Sequence, residues 1–146
     1  MKTSSALTPN SQSDTLSPVR SVAVVGLGYV GLPLAILAEM RGLSVRGFDI
    51  DRRKITALRG RTAPYLSETE AHSFAKSRMQ IDDDESVLAN ADAYIICVPT
   101  PVDEQHQPEL APLIGASECV GQHLSRGALV LVESTADPGA CESVVL

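Results

Sequence analysis

The sequence contains few aromatic residues: three Tyr, two Phe and no Trp, together 3% of its 146 residues. Its hydrophobic content of 44% therefore comes mostly from Val, Leu, Ile and Ala, and it is enough to form the core of one domain. Aliphatic residues of this kind suit a parallel sheet covered by helices better than an all-β sandwich. The composition therefore favours an α/β class.

Cysteine is also scarce, with residues at positions 97, 119 and 141. Their number is odd and no two are spaced as CxxC, so no disulfide framework is expected. The His residues at positions 72, 106 and 123 form no metal-ligand spacing with them, and we expect packing or surface roles for all of these side chains. The sequence therefore predicts no metal site and a reducing, cytoplasmic environment.

Positive charge is in the minority, because 12 Lys and Arg stand against 18 Asp and Glu, for a net charge of −6. Without a basic patch, the chain is not expected to bind nucleic acid, and it has no attraction to an anionic membrane surface. No apolar run reaches the length of a membrane span, and the N-terminus lacks the apolar region of a secretory signal. Nucleic-acid and membrane partners are therefore not expected.

A glycine motif organises the chain, and it follows a β-branched, apolar run at residues 22–25. The motif, Gly26-x-Gly28-x-x-Gly31, leads into an apolar stretch with the spacing of a buried helix. In a dinucleotide-binding unit, Gly26 allows the sharp turn, Gly28 lets the backbone approach a pyrophosphate, and Gly31 lets the helix lie tight on the sheet. The N–H groups at the helix start would then face the anion.

An acidic residue stands where such a unit needs one. The next strand-like run, residues 44–49, ends in Asp49, close to the offset of about 20 residues expected for the acid that binds the adenosine ribose. A carboxylate accepts hydrogen bonds from ribose hydroxyls but repels a 2′-phosphate, so the pattern favours NAD over NADP. Arg52 and Arg53 leave NADP as an alternative, since arginine beyond this strand can serve a 2′-phosphate. An ordinary glycine-rich turn is the alternative without a ligand.

Along the rest of the chain, short apolar runs alternate with helical segments. Residues 1–19, rich in Ser and Thr, are predicted to be a disordered tail. Residues 20–146 are predicted to be a Rossmann-type α/β domain, doubly wound, with a mostly parallel sheet and helices on both faces. The predicted strands are 21–25, 44–49, 79–81, 93–98 and 128–132, and the predicted helices are 30–41, 51–58, 68–77, 85–90, 110–125 and 137–146.

Two further features of the pattern concern the end of the chain and metals. The last predicted helix finishes in an apolar, uncapped run at residues 143–146, so we expect the first domain of something longer, or a truncated product. The acidic run at residues 82–85 has the composition of a metal site. Capping of a short helix is the favoured interpretation, because carboxylates stabilise a helix N-terminus.

With these motifs identified, the chain resembles one family, the nucleotide-sugar 6-dehydrogenases of the UDP-glucose/GDP-mannose dehydrogenase type. Four blocks carry the resemblance, in the family's order and at similar spacing over residues 22–146. They are Gly26-Leu27-Gly28-Tyr29-Val30-Gly31-Leu32-Pro33, Gly47-Phe48-Asp49-Ile50-Asp51 with Lys54, Cys97-Val98-Pro99-Thr100-Pro101, and Glu133-Ser134-Thr135 with Pro138-Gly139. The pattern is closest to the branch for UDP-N-acetylmannosamine or UDP-N-acetylglucosamine.

The resemblance implies cofactor contacts for the residues of the first two blocks. Tyr29 and Val30 would lie over the pyrophosphate in the glycine turn. Asp49 would bind the adenosine ribose hydroxyls, and Lys54 would sit near the same ribose. The implied cofactor is NAD.

The resemblance also implies contacts from the loops after two later strands. Thr100 would contact the cofactor, and Thr135 would lie near the nicotinamide, where the family uses it to help hold a catalytic water. The resemblance therefore implies a supporting catalytic role for Thr135. The sequence departs from the family's pattern at Ala136, where Val is frequent, and at residues 65–68, which replace a glutamate–proline pair.

The implied reaction is a double oxidation of the sugar C6 alcohol to a carboxylate, for polysaccharide precursor synthesis. Two NAD molecules are used, and a cysteine thiolate holds the intermediate as a thioester. That cysteine, its lysine and asparagine helpers, the nucleotide-sugar site and most homodimer contacts belong to later parts of the family's chain. Cys97 does not replace the nucleophile, because it lies in a predicted buried strand with no His or Lys beside it, so we expect an inert thiol.

Two other functions remain open at this point. A stand-alone or degenerate dinucleotide-binding module would use the same pocket for regulation rather than for chemistry. Another NAD-linked dehydrogenase, of the β-hydroxyacid type, would share the glycine motif but matches the blocks at residues 97–101 and 133–139 poorly.

Overall fold

The structure of the protein, a computed structural model, describes residues 18–103 and 108–134. The elements in these ranges are β1 (Ser21–Val25), α1 (Gly31–Met40), β2 (Ser44–Phe48), α2 (Arg52–Arg59), α3 (Glu68–Ala75), β3 (Gln80–Asp82), a 3-10 helix (Glu85–Leu88), β4 (Ala93–Ile96), α4 (Ala111–His123) and β5 (Leu129–Val132). Each element predicted within the described ranges is present. The predicted helix 137–146 and most of the predicted tail 1–19 lie outside the described residues.

The five strands form one parallel sheet in the order β3-β2-β1-β4-β5. From β1 the chain moves outward to β2 and β3, then crosses over to β4 and moves outward on the other side. This reversal between β1 and β4 leaves a crevice at the carboxyl ends of the strands, which is where open α/β sheets bind ligands. The predicted Rossmann-type parallel fold is confirmed.

Both faces of the sheet are covered by helices, and the alternation of side chains along β1 shows how. Val22 and Val24 join a core with residues of α1, α2 and α3, whereas Ala23 and Val25 join a second core with residues of the 3-10 helix and α4. All four β1 side chains are at most 3% exposed. A central strand buried on both faces explains why its sequence is a continuous apolar run rather than an alternating one.

Local signals set the helix ends. The Asp51 carboxylate accepts from the backbone N–H groups of Arg53 and Lys54, and so begins α2 as predicted. At the start of α3, Ser67 and Glu70 form a capping box. Gly42, with φ +87°, follows α1 in the left-handed region that glycine adopts without strain.

The strand β4 is shorter than predicted, because the sequence pattern extended it to residue 98 and the ladder ends at Ile96. The Cys97 N–H still donates to the Val25 carbonyl, at 2.7 Å. Beyond that point the neighbouring chain turns away at Gly26, so the next residues have no parallel partner on that side. The apolar run continued further than the pairing did.

The acidic run after β3 serves the fold. Asp84 caps the 3-10 helix by accepting from the Ser86 N–H, which confirms the capping interpretation. Asp82 forms an ion pair with Arg59 at 2.6 Å, and Asp83 forms one with Arg52 at 3.0 Å. Within residues 18–103 and 108–134, no group of three His, Cys, Asp or Glu side chains could hold a metal ion, and no helix is long and apolar enough to cross a membrane.

Candidate functional site

The glycine turn connects β1 to α1 at the carboxyl edge of the sheet, and two of its glycines are required by close packing. Gly26 has φ +90°, and a Cβ there would lie 2.7 Å from the Cys97 carbonyl oxygen. A Cβ on Gly31 would lie 1.8 Å from the Gly26 carbonyl oxygen. The first turn of α1 therefore rests directly on the backbone of the turn.

Gly28 is different, because it borders open space. A Cβ built there would meet no atom within 4 Å, and no positive φ requires glycine at this position. The absence of a side chain keeps the backbone accessible from outside. This is the condition for a large anion such as a pyrophosphate to approach the peptide groups closely.

The N-terminus of α1 begins in this turn without a side-chain cap. Val30 occupies the N-cap position and makes no capping hydrogen bond through its side chain, and the first turn contains no acidic residue. Pro33 lies within that first turn, where its missing N–H costs little. The Leu32 N–H donates to the Gly28 carbonyl at 3.2 Å, so the turn itself occupies part of the helix start. The positive end of the helix dipole still lies at the carboxyl edge of the sheet, where it favours an anion.

Asp49 follows β2 at the same edge and is only 5% exposed. Its Oδ2 accepts from the Leu27 N–H at 2.8 Å and from Lys54 Nζ at 2.6 Å, and its Oδ1 accepts from the Asp51 N–H at 3.0 Å. Burying a carboxylate is costly without such partners. The contacts hold the predicted ribose acid rigidly beside the glycine turn, with Lys54 against it.

Arg52 and Arg53 are the residues that left NADP as an alternative cofactor, and the structure does not bury Arg52 beside the turn as it buries Asp49. The Arg52 side chain is 88% exposed and forms an ion pair with Asp83, which draws it towards the turn after β3. The backbone N–H of Arg53 is used by the Asp51 cap. A buried negative charge at Asp49 beside an outward-facing Arg52 favours NAD, because a 2′-phosphate would be repelled by the carboxylate.

Tyr65 is a site residue that the sequence did not single out. Its hydroxyl donates to the Leu27 carbonyl at 2.8 Å, and its ring lies 4.8 Å from the Tyr29 ring, centroid to centroid, with an interplanar angle of 45°. Burial, and then the charge of Asp49, raises the pKa of the Tyr65 phenol. The sequence offered one signal for this residue: it is one of few aromatic residues, and it lies in a loop that departs from the family's pattern.

The ends of β4 and β5 complete the edge of the sheet. Thr100 is half-buried in the loop after β4. The Ser134 hydroxyl donates to the Val98 carbonyl at 2.7 Å, which ties the residue after β5 to the end of β4. Thr135 lies outside the described residues.

Cys97, at the base of this edge, is buried and has the character of a packing residue. Desolvation and the nearby Glu133 charge raise the pKa of its thiol to about 11. The thiol is therefore protonated near neutral pH and is a poor nucleophile.

Together, these features fit a bound dinucleotide. A cradle open at Gly28 and an uncapped helix start suit the pyrophosphate, and the Asp49 carboxylate lies one strand away for a ribose. Three exposed hydrophobic side chains belong to the glycine turn or directly follow Asp49: Tyr29, Val30 and Ile50 are 80%, 51% and 85% exposed. Exposed apolar side chains around a polar cradle are typical of a ligand-binding groove.

Comparison with known proteins agrees with this geometry. The model of the UDP-glucose/GDP-mannose dehydrogenase family, NAD binding domain, matches residues 20–146. UDP-N-acetyl-D-glucosamine 6-dehydrogenase from Pseudomonas aeruginosa is 43% identical over 121 residues, which cover 83% of this chain and 28% of that protein. This chain therefore spans a little over a quarter of the length of that curated relative.

Solved structures give the same result. UDP-D-ManNAc dehydrogenase from Pyrococcus horikoshii has a TM-score of 0.79 at 33% identity, covering 85% of this chain and 30% of that one. GDP-mannose dehydrogenase from Pseudomonas aeruginosa has a TM-score of 0.77 at 25% identity, with coverage of 85% and 30%. The cofactor of the matched family domain is NAD. The chain belongs to the UDP-glucose/GDP-mannose dehydrogenase family and corresponds to its NAD-binding domain.

Proposed function

We propose that this chain is the cofactor-binding part of an NAD-dependent enzyme that oxidises the C6 alcohol of a UDP-sugar to a carboxylate. The observation that carries the proposal is the Asp49 carboxylate, which is buried at the end of β2 and hydrogen-bonded to the backbone of the glycine turn. A carboxylate in this position is the group that accepts hydrogen bonds from the adenosine ribose.

Under this proposal, residues 20–146 act as one NAD-binding domain. Cofactor binding is assigned to the residues of the turn, the ribose acid with its lysine, and two threonines of later loops: Gly26, Gly28, Tyr29, Val30, Gly31, Asp49, Lys54, Thr100 and Thr135. Thr135 keeps the supporting catalytic role that the resemblance implies, at the water near the nicotinamide. The contacts of Asp49 with Leu27 and Lys54 support the part of this assignment that concerns the ribose.

Bound NAD supplies a hydride acceptor. Over the whole reaction, an alcohol, two NAD⁺ and a water give a carboxylate, two NADH and three protons. The residues of this chain bind and orient the acceptor. The protonated, buried Cys97 thiol supports the view that the covalent step uses a cysteine from elsewhere in the enzyme.

For the substrate, we infer a UDP-N-acetylhexosamine, because the relatives' names include UDP-N-acetyl-D-glucosamine 6-dehydrogenase and UDP-N-acetyl-D-mannosamine dehydrogenase. The product would be a UDP-sugar acid, a precursor for an anionic polysaccharide. The family resemblance further supports a cytoplasmic homodimer for the whole enzyme.

Isothermal titration of the 146-residue chain with NAD and NADP tests the cofactor assignment. We expect tighter binding of NAD. Asp49→Asn, which keeps the shape and removes the charge, is expected to weaken NAD at least about ten-fold and to narrow the preference over NADP. Asp92→Asn is the matched control, because Asp92 accepts from Arg20 and Ser21 backbone N–H groups at the opposite edge of the sheet.

Absence of NAD binding by the unmodified chain would refute the proposed function. An unchanged preference in Asp49→Asn would refute the ribose role of this residue alone. The oxidation itself is tested in a chimera that joins this chain to the part of the Pseudomonas aeruginosa relative that lies beyond the match. NADH formation with UDP-N-acetylglucosamine is expected, and its absence in a folded chimera that binds NAD would count against the enzymatic role.

A further inference from the structure

Two of the five aromatic side chains of this protein meet at the glycine turn. Tyr29 belongs to the turn itself, whereas Tyr65 comes from the loop between α2 and α3, more than thirty residues away along the chain. Neither the fold nor the proposed function assigns a role to Tyr65. Its position beside Leu27 and Tyr29 is the observation from which the inference starts.

Leu27, the residue between Gly26 and Gly28, is fixed through its side chain, its backbone N–H and its carbonyl. Its side chain is fully buried, with both Cδ atoms within 2.9 Å of the place where a Cβ on Gly47 would lie. Its N–H donates to Asp49 Oδ2 at 2.8 Å, and its carbonyl accepts from the Tyr65 hydroxyl at 2.8 Å. The turn is therefore fixed from the sheet, from the ribose acid and from the loop that carries Tyr65.

The hydrogen bond from Tyr65 also orients the next peptide group. The Leu27 carbonyl and the Gly28 N–H belong to one planar, trans peptide unit and point in opposite directions. Holding the carbonyl oxygen on Tyr65 therefore sets the direction of the Gly28 N–H. Gly28 is the glycine of the turn that borders open space, so this N–H belongs to the surface that an anion would approach.

The ring of Tyr65 supports Tyr29 in the same region. Tyr29 is 80% exposed, and its ring contact with the half-buried Tyr65 restricts the positions that this side chain can take. Tilted aromatic pairs at this separation attract each other beyond the burial of their surface. Burial and Asp49 also raise the pKa of the Tyr65 phenol, so that the hydroxyl remains a donor throughout the neutral range.

We propose that Tyr65 is a positioning residue for dinucleotide binding, which orients the Leu27–Gly28 peptide through its hydroxyl and Tyr29 through its ring. The inference rests on the proposed function, because the ligand is NAD. It adds a residue from a loop that the family resemblance did not assign. Preorganisation is the physical basis: a turn already held in its binding geometry loses less entropy when the ligand binds.

The test compares Tyr65→Phe, which removes only the hydroxyl, with Tyr94→Phe. Tyr94 is the matched control, because it is fully buried and its hydroxyl donates to the His123 carbonyl at 2.7 Å on the other face of the sheet. NAD and ADP affinities are measured by calorimetry, adenosine affinity by NMR titration, and stability by urea unfolding. The Gly28 amide resonance is followed in ¹⁵N spectra.

We expect Tyr65→Phe to weaken NAD and ADP by the same factor, roughly two- to ten-fold, which corresponds to one hydrogen bond. Adenosine, which has no phosphate, should bind within about two-fold of the unmodified chain, and the Gly28 amide resonance should move. Tyr94→Phe should lose a similar amount of stability with NAD affinity retained. This pattern separates positioning of the turn from a general loss of stability.

A second pair of variants tests the contact between the two tyrosine rings. Tyr29→Leu changes an exposed side chain, so that folding is not in question, and Tyr65→Leu removes the supporting ring. Because the two rings share one contact, the losses of NAD affinity in the double variant should be smaller than the sum of the single losses. Additive losses would overturn the role assigned to the ring.

The remaining outcomes distinguish this inference from the proposed function. Full NAD affinity in Tyr65→Phe, with the unmodified chain binding NAD, would overturn the inference and leave the proposed function standing. Equal weakening of adenosine and ADP would overturn it as well, because the effect would then not pass through the turn. A failure of the unmodified chain to bind NAD would overturn both.

Discussion

Two glycines of one motif should respond in opposite ways when each is replaced by alanine. Gly31→Ala places a Cβ 1.8 Å from the Gly26 carbonyl oxygen, more than one ångström closer than real Cβ atoms come to such an atom. That oxygen belongs to the backbone of the turn, so α1 itself has to move. Gly28→Ala places a Cβ in open space at a backbone conformation without positive φ.

The two substitutions are expected to change the free energy of unfolding differently. Overpacking typically costs 1–3 kcal/mol, and the better helix propensity of alanine returns up to about 1 kcal/mol, so we expect Gly31→Ala to lose about 2 kcal/mol of unfolding free energy. For a chain of this size, that loss lowers Tm by roughly 5–10 °C. Gly28→Ala should keep its stability or gain about 0.4–1 kcal/mol, since alanine reduces the entropy of the unfolded chain.

NAD affinity completes the contrast. Gly28→Ala should lose at least about ten-fold in NAD affinity despite its stability, because the new methyl group occupies the approach to the backbone. Circular dichroism during urea and thermal unfolding, with calorimetric titration of NAD, measures both quantities on the same samples. The reasoning is refuted if Gly28→Ala is as unstable as Gly31→Ala, or if Gly28→Ala binds NAD normally.

Three further predictions follow from individual contacts. Cys97 and Cys119 have thiol pKa values raised to about 11, mainly by burial, so mass spectrometry should find them unalkylated by iodoacetamide at pH 8 in the folded chain and alkylated in urea; rapid native alkylation would contradict their burial. The pKa of Asp92 is lowered from 3.8 by hydrogen bonds from the Arg20 backbone and the Ser21 side chain and backbone. The stabilising effect of the Asp92 carboxylate is therefore present above pH 3.8 and is lost as the pH falls through the lower pKa of the folded state. In urea unfolding, Asp92→Asn should therefore lose less unfolding free energy on acidification than the unmodified chain does. Ser67→Ala removes the capping box of α3 and should cost about 1 kcal/mol in the same assay, whereas no loss would show that this helix end is frayed in solution.

Much of the fold was predictable because its signals are local. A central strand buried on both faces must be apolar throughout, and the run at residues 22–25 shows this directly. The glycine spacing, the Asp51 cap and the offset of Asp49 each depend on a few neighbouring residues. These features determined the element types and the expectation of a dinucleotide-binding unit from the sequence alone.

Other features depend on which distant segments the sheet brings together. The pattern could not tell where β4 would stop, since that depends on Gly26 turning the neighbouring chain away. It also could not assign Arg52 to Asp83, because that ion pair joins α2 to the turn after β3 across two paired strands. Local propensity carries no information about such contacts.

The sequence by itself determined the family and the glycine motif, and it indicated Asp49 as the proposed ribose acid. Only the tertiary structure decided how the turn is held, through Asp49 on one peptide group and Tyr65 on the next. The physical reason is that a hydrogen bond between a loop phenol and a carbonyl 38 residues earlier has no period or spacing in the chain. It exists because the tertiary fold brings the loop between α2 and α3 against the turn that follows β1.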